Sequence, residues 1–113
     1  MKKIYMACLL TAAVVCAASA HAPSELKGSF NAETRVLNVT FSHAVSDANS
    51  HYITEIKIFL NGKQIIEQKL LSQENGEGGE LVYRIPDAEP GDKLRINARC
   101  NKIGAKTLNI TIE

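Results

Sequence analysis

The chain has 113 residues, of which 13 are basic and 12 acidic, and 45% of its residues are hydrophobic. This length fits one small domain with a modest core. The nearly balanced charge provides no strongly basic surface of the kind that binds nucleic acids, so we expect no nucleic-acid partner.

Residues 1–20 have the layout of a secretory signal peptide. Two lysines precede an uncharged, mostly apolar run that ends in the small residues ASA. This run is too short for a membrane span, and its end fits the small-residue rule of signal peptidases. We therefore predict a signal peptide over 1–20 and one domain over 21–113. The domain is expected to be periplasmic or secreted, with no membrane partner after cleavage.

Two cleavage positions fit this rule. Cleavage after Ala20 gives a chain that starts at His21, and cleavage after Ala22 gives one that starts at Pro23. We favour the first position because signal peptidases generally cope poorly with proline directly after the cut. A chain that starts at His21 offers both an imidazole and a free amine to a metal. Loss of the two leader lysines also leaves 11 basic residues against 12 acidic ones, a net charge of −1.

The remaining sequence alternates apolar and polar residues over short runs that are separated by turn residues. This period of two indicates half-buried strands, and no segment has the period of a helix. The pair Asn61-Gly62 favours a type I′ turn between two strands of a hairpin. Seven regularly spaced strands predict an all-β, immunoglobulin-like antiparallel β-sandwich. The predicted strands cover 25–30, 35–42, 52–60, 63–71, 80–85, 93–100 and 106–112.

The topology of such a sandwich gathers the chemically reactive side chains at one end. The second strand ends at His43, the third begins at His51, and the sixth, antiparallel to the third, ends at Cys100. The first strand begins at the same end, so it brings His21 there as well. Neutral imidazole and thiolate are ligands for iron, copper and zinc. We therefore predict a metal site made of His43, His51, Cys100 and His21.

Cys100 is the only cysteine that remains after signal cleavage, because Cys8 and Cys16 lie in the leader. A single thiol cannot form an internal disulfide, whereas a metal would hold it as a thiolate shielded from oxidation. A simpler interpretation is structural, since loop histidines are commonly solvated and a strand-end cysteine often packs as a small hydrophobic residue. The polar segment 73–80, QENGEGGE, is expected to face solvent.

Several pieces of the sequence resemble the iron domain of superoxide reductases and desulfoferrodoxins: SHAV, then HYI, then NG, and later ARCNKIG. The resemblance runs from His43 to Gly104. It implies an immunoglobulin-like sandwich that holds one iron on four equatorial histidines and one axial cysteine. His43 and His51 would match two equatorial ligands and Cys100 the axial one. The resemblance also implies reduction of superoxide to hydrogen peroxide, with electrons from an external donor.

The chain departs from the family pattern at several positions. Ile103 stands where the family has a further histidine, and Ala44 stands where it has proline. The family's Glu-Lys-His-x-Pro segment, which supplies a histidine and a lysine that attracts superoxide, has no counterpart. We therefore expect an exported, short, class II-like variant with an incomplete ligand set and weak or lost activity.

Two other functions remain open. A copper or zinc site would use two histidines and a cysteine, the ligand set of blue-copper centres, with Gln73 as a weak further ligand. Because no histidine or methionine follows Cys100, iron is the preferred metal. A non-catalytic interaction module would instead bury Cys100 and leave the histidines in a solvated loop. The sequence makes no prediction of the oligomeric state.

Overall fold

The computed structural model describes residues 21–113, so the predicted signal peptide lies outside the described residues. Seven strands form within this part of the chain, with no helix among them. Accordingly, residues 21–113 hold no helical segment that is long and apolar enough to cross a bilayer. The strands are β1 (Glu25–Asn31), β2 (Val36–Ser42), β3 (Ile53–Leu60), β4 (Lys63–Lys69), β5 (Gly78–Arg84), β6 (Lys93–Cys100) and β7 (Ala105–Thr111).

The seven strands form two sheets, with the orders β1-β2-β5 and β4-β3-β6-β7. Every neighbouring pair is antiparallel. β6 pairs with β3, as the sequence predicted, and has β7 on its other side. β1 contacts β7 where one edge of each sheet meets the other. The predicted all-β antiparallel sandwich is confirmed.

The core lies between the two sheets and follows from the alternation of the sequence. Every second residue of β2 and β6 is buried, and the residues between them are partly or fully exposed. Burial of one such aliphatic side chain stabilises the fold by roughly 1.5–3 kcal/mol. The largest fully buried hydrophobic side chains are Leu37, Val39, Ile53, Ile56, Ile58, Ile85, Leu94 and Ile96.

The β3–β4 hairpin forms at the predicted turn. Asn61 and Gly62 both have positive φ, 49° and 87°, as a type I′ turn requires. The Asn61 side chain also donates to Asp92 and accepts from the backbone N–H of Lys93, which ties the turn to the start of β6. Two predicted boundaries shift by two residues: β4 ends at Lys69 and β5 begins at Gly78.

One end of the sandwich collects three connections between strands and the segment that precedes β1. Glu25 at the start of β1 pairs with Ser42 at the end of β2, and Ile53 at the start of β3 pairs with Cys100 at the end of β6. The backbone N–H of His43 donates to the carbonyl of Glu77, which adds the β4–β5 connection. We call this region the histidine end; it comprises residues 21–24, 43–52, 70–77 and 101–104.

Candidate metal centre

Three histidines meet at the histidine end. Potential ligand atoms of His21, His43 and His51 all lie within 4.8 Å of one another. The ring centroids are 4.8 Å apart for His21 and His43, 4.9 Å for His43 and His51, and 5.6 Å for His21 and His51. The structure therefore brings together the three histidines that the sequence placed at this end.

His43 follows directly after β2 and is completely buried. Its Nδ1 lies 2.8 Å from Oε1 of Gln73, and its Nε2 lies 3.1 Å from the carbonyl oxygen of His21. Both ring nitrogens thus have a polar neighbour. This ring is fixed by the protein itself, so it forms the rigid side of the cluster.

Gln73 supports His43 from the β4–β5 connection, and its side chain is nearly fully buried. Its Oε1 accepts from His43 Nδ1 and from the backbone N–H of Ile53, and its Nε2 donates to the carbonyls of His43 and Asn75. Its backbone N–H donates to the carbonyl of Ala48. One side chain therefore joins the end of β2 to the start of β3.

His51 lies at the end of the β2–β3 loop, in a turn that Asp47 organises. The carbonyl of Asp47 accepts from the backbone N–H groups of Ser50 and His51, and its carboxylate accepts from that of Asn49. Nε2 of His51 is buried and has no hydrogen-bond partner among the described residues. An unpartnered buried nitrogen costs free energy unless something binds to it.

Burial lowers the pKa of His51 below its ordinary value, and repulsion from His43, His21 and Lys102 lowers it further. The neutral imidazole is consequently favoured. Because only the neutral ring has a lone pair for a metal, this environment suits ligand binding.

Asn101 holds the segment around His51 against the end of β6. Its Oδ1 accepts from the backbone N–H of Tyr52, and its Nδ2 donates to the carbonyl of Ser50. Its backbone N–H donates in turn to the carbonyl of Tyr52. These three bonds flank His51 on both sides and so set the position of its backbone.

His21 approaches the cluster from the segment before β1. Its ring nitrogens lie 2.9 Å from the carbonyl oxygen of Ala22 and 3.1 Å from that of Ala44. Gly104 lies directly beneath this segment, because a Cβ at that position would come within 2.7 Å of the Ala22 nitrogen. The close approach of a glycine therefore allows His21 to reach the other two histidines.

Cys100 is buried at the end of β6, and its Sγ accepts from the backbone N–H of Lys102 at 3.3 Å. It lies at the histidine end, as predicted, but it does not belong to the group of potential ligand atoms formed by the three histidines. It instead lines an open cleft of about 400 Å³ with Thr54, Arg99 and residues 101–104. The role of Cys100 as a ligand stays a prediction.

The sequence did not anticipate Gln73 and Asn101 as supporting residues. Gln73 was expected to face solvent, which is wrong, or to act as a weak ligand, which stays a prediction. Its side chain is buried, and all four of its hydrogen-bonding positions are used by the protein. The CN pair at 100–101 did mark Asn101 within the family resemblance, but no role followed from it.

The three imidazoles form a donor set suited to a metal ion. Three protein ligands leave coordination positions open for water or a small substrate, as in catalytic zinc sites. Imidazole binds iron, copper, zinc and nickel, so the donor set alone does not select one metal.

No protein-family profile matches the chain, and no curated protein sequence matches it either. Solved structures do match its fold. The superoxide reductase (1Fe-SOR) from Giardia intestinalis superposes with a TM-score of 0.61 at 13% identity, over 80% of this chain and 99% of that one.

Two further solved structures match with lower TM-scores. The superoxide reductase (neelaredoxin) from Ignicoccus hospitalis gives 0.51 at 12% identity, over 88% of this chain and 86% of that one. A hypothetical protein from Pyrococcus horikoshii OT3 gives 0.52 at 17% identity, over 84% and 90%. The chain therefore has the fold of superoxide reductases.

Proposed function

We propose that this chain is a mononuclear metal-binding protein whose metal is held by His21, His43 and His51. One observation carries this proposal: Nε2 of His51 is buried without a partner inside a group of three imidazoles. A structural histidine in a well-packed loop normally finds a hydrogen-bond partner, whereas a ligand nitrogen must keep its lone pair free.

Iron is the metal we propose, and superoxide is the substrate. Two of the structures with this fold are superoxide reductases, and imidazole is a suitable iron ligand. Bound iron would supply one electron for the reduction of superoxide, which together with two protons gives hydrogen peroxide. Lys102 lines the cleft beside Cys100 and would attract the anionic substrate electrostatically.

We also propose that the protein is exported and that an external donor supplies its electrons. The leader-like residues 1–20 support export to the periplasm or beyond, where no membrane anchor would remain after cleavage. An external electron donor would then restore the reduced metal after each turnover. Lys102 and the exposed Ile103 lie on the turn beside the cluster, where that donor would approach.

A copper or zinc site without a thiolate is the second candidate. The observation in its favour is that Cys100 does not belong to the histidine group. On this view Cys100 is a packed structural residue, and the three imidazoles alone bind the copper or zinc ion.

Anaerobic reconstitution with Fe²⁺, followed by oxidation and visible spectroscopy, tests the proposal. Wild-type protein should bind one iron, and the His51→Ala variant should not. A ferric–thiolate charge-transfer band that disappears in Cys100→Ser would establish Cys100 as a fourth protein ligand. Stoichiometric iron without that band would leave the three histidines as the protein ligands, whereas a protein that binds Cu²⁺ or Zn²⁺ but not iron would favour the second candidate. A folded wild-type protein that binds no metal would overturn both and leave an interaction module.

A further inference from the structure

We propose that Gln73 is the positioning residue of the metal site: it holds His43 in the tautomer with its proton on Nδ1, which leaves Nε2 to bind the metal. The inference rests on the proposed function, because it assigns a role toward the same metal.

The hydrogen bonds around Gln73 fix which of its amide atoms is the oxygen. The backbone N–H of Ile53 can only donate, so the atom that faces it at 3.2 Å must be the acceptor, Oε1. The carbonyls of His43 and Asn75 can only accept, so the atom that faces both must be the NH₂ group. In the flipped amide, the NH₂ group would face the N–H of Ile53, a contact between two donors. The amide oxygen would face the carbonyls of His43 and Asn75, two contacts between acceptors.

This orientation determines the tautomer of His43. Since Oε1 of Gln73 can only accept, Nδ1 of His43 at 2.8 Å must carry the proton. The lone pair of the neutral ring is then on Nε2. In known metal sites, a hydrogen bond from the second ring nitrogen to an oxygen acceptor fixes the tautomer and the ring orientation of the ligand in the same way.

The contact on the other side of the ring shows why such control is needed. Nε2 of His43 lies 3.1 Å from the carbonyl oxygen of His21, which cannot donate. Without Gln73, the neutral ring would gain a hydrogen bond by moving its proton to Nε2 and donating to that carbonyl. The moved proton would block the ligand nitrogen. With Gln73 in place, a lone pair instead faces an oxygen, and a metal ion at Nε2 would relieve this contact.

Two substitutions at position 73 separate positioning from simple structural support. Gln73→Met keeps the shape of the side chain and removes its acceptor, whereas Gln73→Glu keeps the acceptor for His43 and Ile53 and loses the donor to His43 and Asn75. A positioning role predicts that Met weakens metal binding more than Glu does. A merely structural role predicts that Glu is at least as impaired as Met, because Glu also turns an oxygen toward the carbonyls of His43 and Asn75.

The experiment uses the mature protein with Zn²⁺ as a redox-inert probe. We expect Gln73→Met to lower Zn²⁺ affinity by about 10- to 100-fold and Gln73→Glu to lower it by less, because Glu keeps the acceptor for Nδ1 of His43. Asn61→Gly is the matched control, because it removes two side-chain hydrogen bonds at the opposite end of the sandwich and keeps the turn. Its Zn²⁺ affinity should equal that of the wild type.

The ring-nitrogen NMR signals of His43 in the metal-free protein provide the second readout. The wild type should show the proton on Nδ1, and Gln73→Met should shift it to Nε2. A wild-type ring protonated on Nε2 would overturn the inference, as would unchanged Zn²⁺ affinity in folded Gln73→Met. If the wild type bound no Zn²⁺ but His43 carried its proton on Nδ1, the proposed function would fail while the control of the tautomer by Gln73 would stand.

Discussion

His43 and His51 face each other at nearly right angles, with ring centroids 4.9 Å apart and an interplanar angle of 88°, and the two rings are held in opposite ways. His43 has a polar neighbour at each nitrogen, whereas Nε2 of His51 is buried with none among the described residues. The fold therefore fixes the His43 ring through Gln73 and leaves Nε2 of His51 without a hydrogen-bond partner among the described residues. A residue whose buried polar atom lacks a hydrogen bond lowers the stability of the fold, and such residues are usually retained for function.

Replacement of His51 by leucine tests this asymmetry. Metal affinity should fall by more than the roughly 10- to 100-fold that loss of an outer-shell partner costs. The free energy of unfolding of the metal-free protein should stay unchanged or rise by up to about 1 kcal/mol, because an unpartnered buried nitrogen is removed. Metal titration and urea unfolding in the presence of a chelator measure the two effects.

His43→Leu is the matched comparison for that experiment. It also removes a ligand, but it leaves the buried Oε1 of Gln73 with one partner fewer, so the metal-free protein should lose about 1–3 kcal/mol of stability. Equal destabilisation of the metal-free protein by His51→Leu and His43→Leu would show that His51 is an ordinary structural residue.

Asn101 tests whether the backbone around His51 must be held in place for metal binding. Asn101→Ala removes both side-chain bonds that flank His51, so metal affinity should fall by about 10- to 100-fold. Asn101→Asp keeps the acceptor for the Tyr52 N–H and loses only the donor to the Ser50 carbonyl. It should therefore bind metal with intermediate affinity, and calorimetric titration would show the order. Wild-type affinity in Asn101→Ala would contradict the positioning of His51 by this side chain.

The fold could be predicted from the sequence because its determinants are local. Apolar residues at every second position fix which face of β2 and β6 is buried, and Asn61-Gly62 fixes the β3–β4 turn through positive φ. Antiparallel pairing then determines which strand ends meet. The convergence of three histidines at one end followed from that topology alone.

The contacts within the site could not be predicted in the same way. Gln73 lies in a polar segment whose composition is typical of a solvated loop, and its partner His43 is 30 residues away. Topology gives the end of the sandwich at which a residue lies but not the direction of its side chain. For the same reason, the sequence placed Cys100 at the correct end without showing that it lies outside the histidine group.

Glu55 gives a prediction on pH, away from the histidine end. Its nearly buried carboxylate accepts from Lys69 and lies near Lys57 and Arg99, and the hydrogen bond from Lys69 lowers its pKa although burial opposes this. A lowered pKa in the folded state stabilises the fold above the unfolded value of 4.5, and this stability is lost as pH falls through the folded pKa.

Glu55→Gln should accordingly lower the free energy of unfolding at pH 7 by about 1 kcal/mol, a modest effect because Lys69 is largely exposed. The difference from wild type should shrink as the pH is lowered below 4.5. Urea unfolding across this range measures it. Glu33→Gln, an exposed acid without an ion pair among the described residues, should show no such trend. A pH-independent difference for Glu55→Gln would refute the electrostatic explanation.

The two glycines Gly104 and Gly91 allow a test of whether His21 belongs to the site. Both have positive φ, 97° and 94°, so alanine should impose similar backbone strain of roughly 1 kcal/mol at each. A Cβ at Gly104 would meet the Ala22 nitrogen at 2.7 Å, whereas one at Gly91 would meet nothing within 4 Å.

Gly104→Ala must therefore displace the segment that carries His21. It should lower metal affinity, while Gly91→Ala should leave that affinity unchanged despite a similar loss of stability. Equal metal affinities in both variants would exclude His21 as a ligand and reduce the site to His43 and His51.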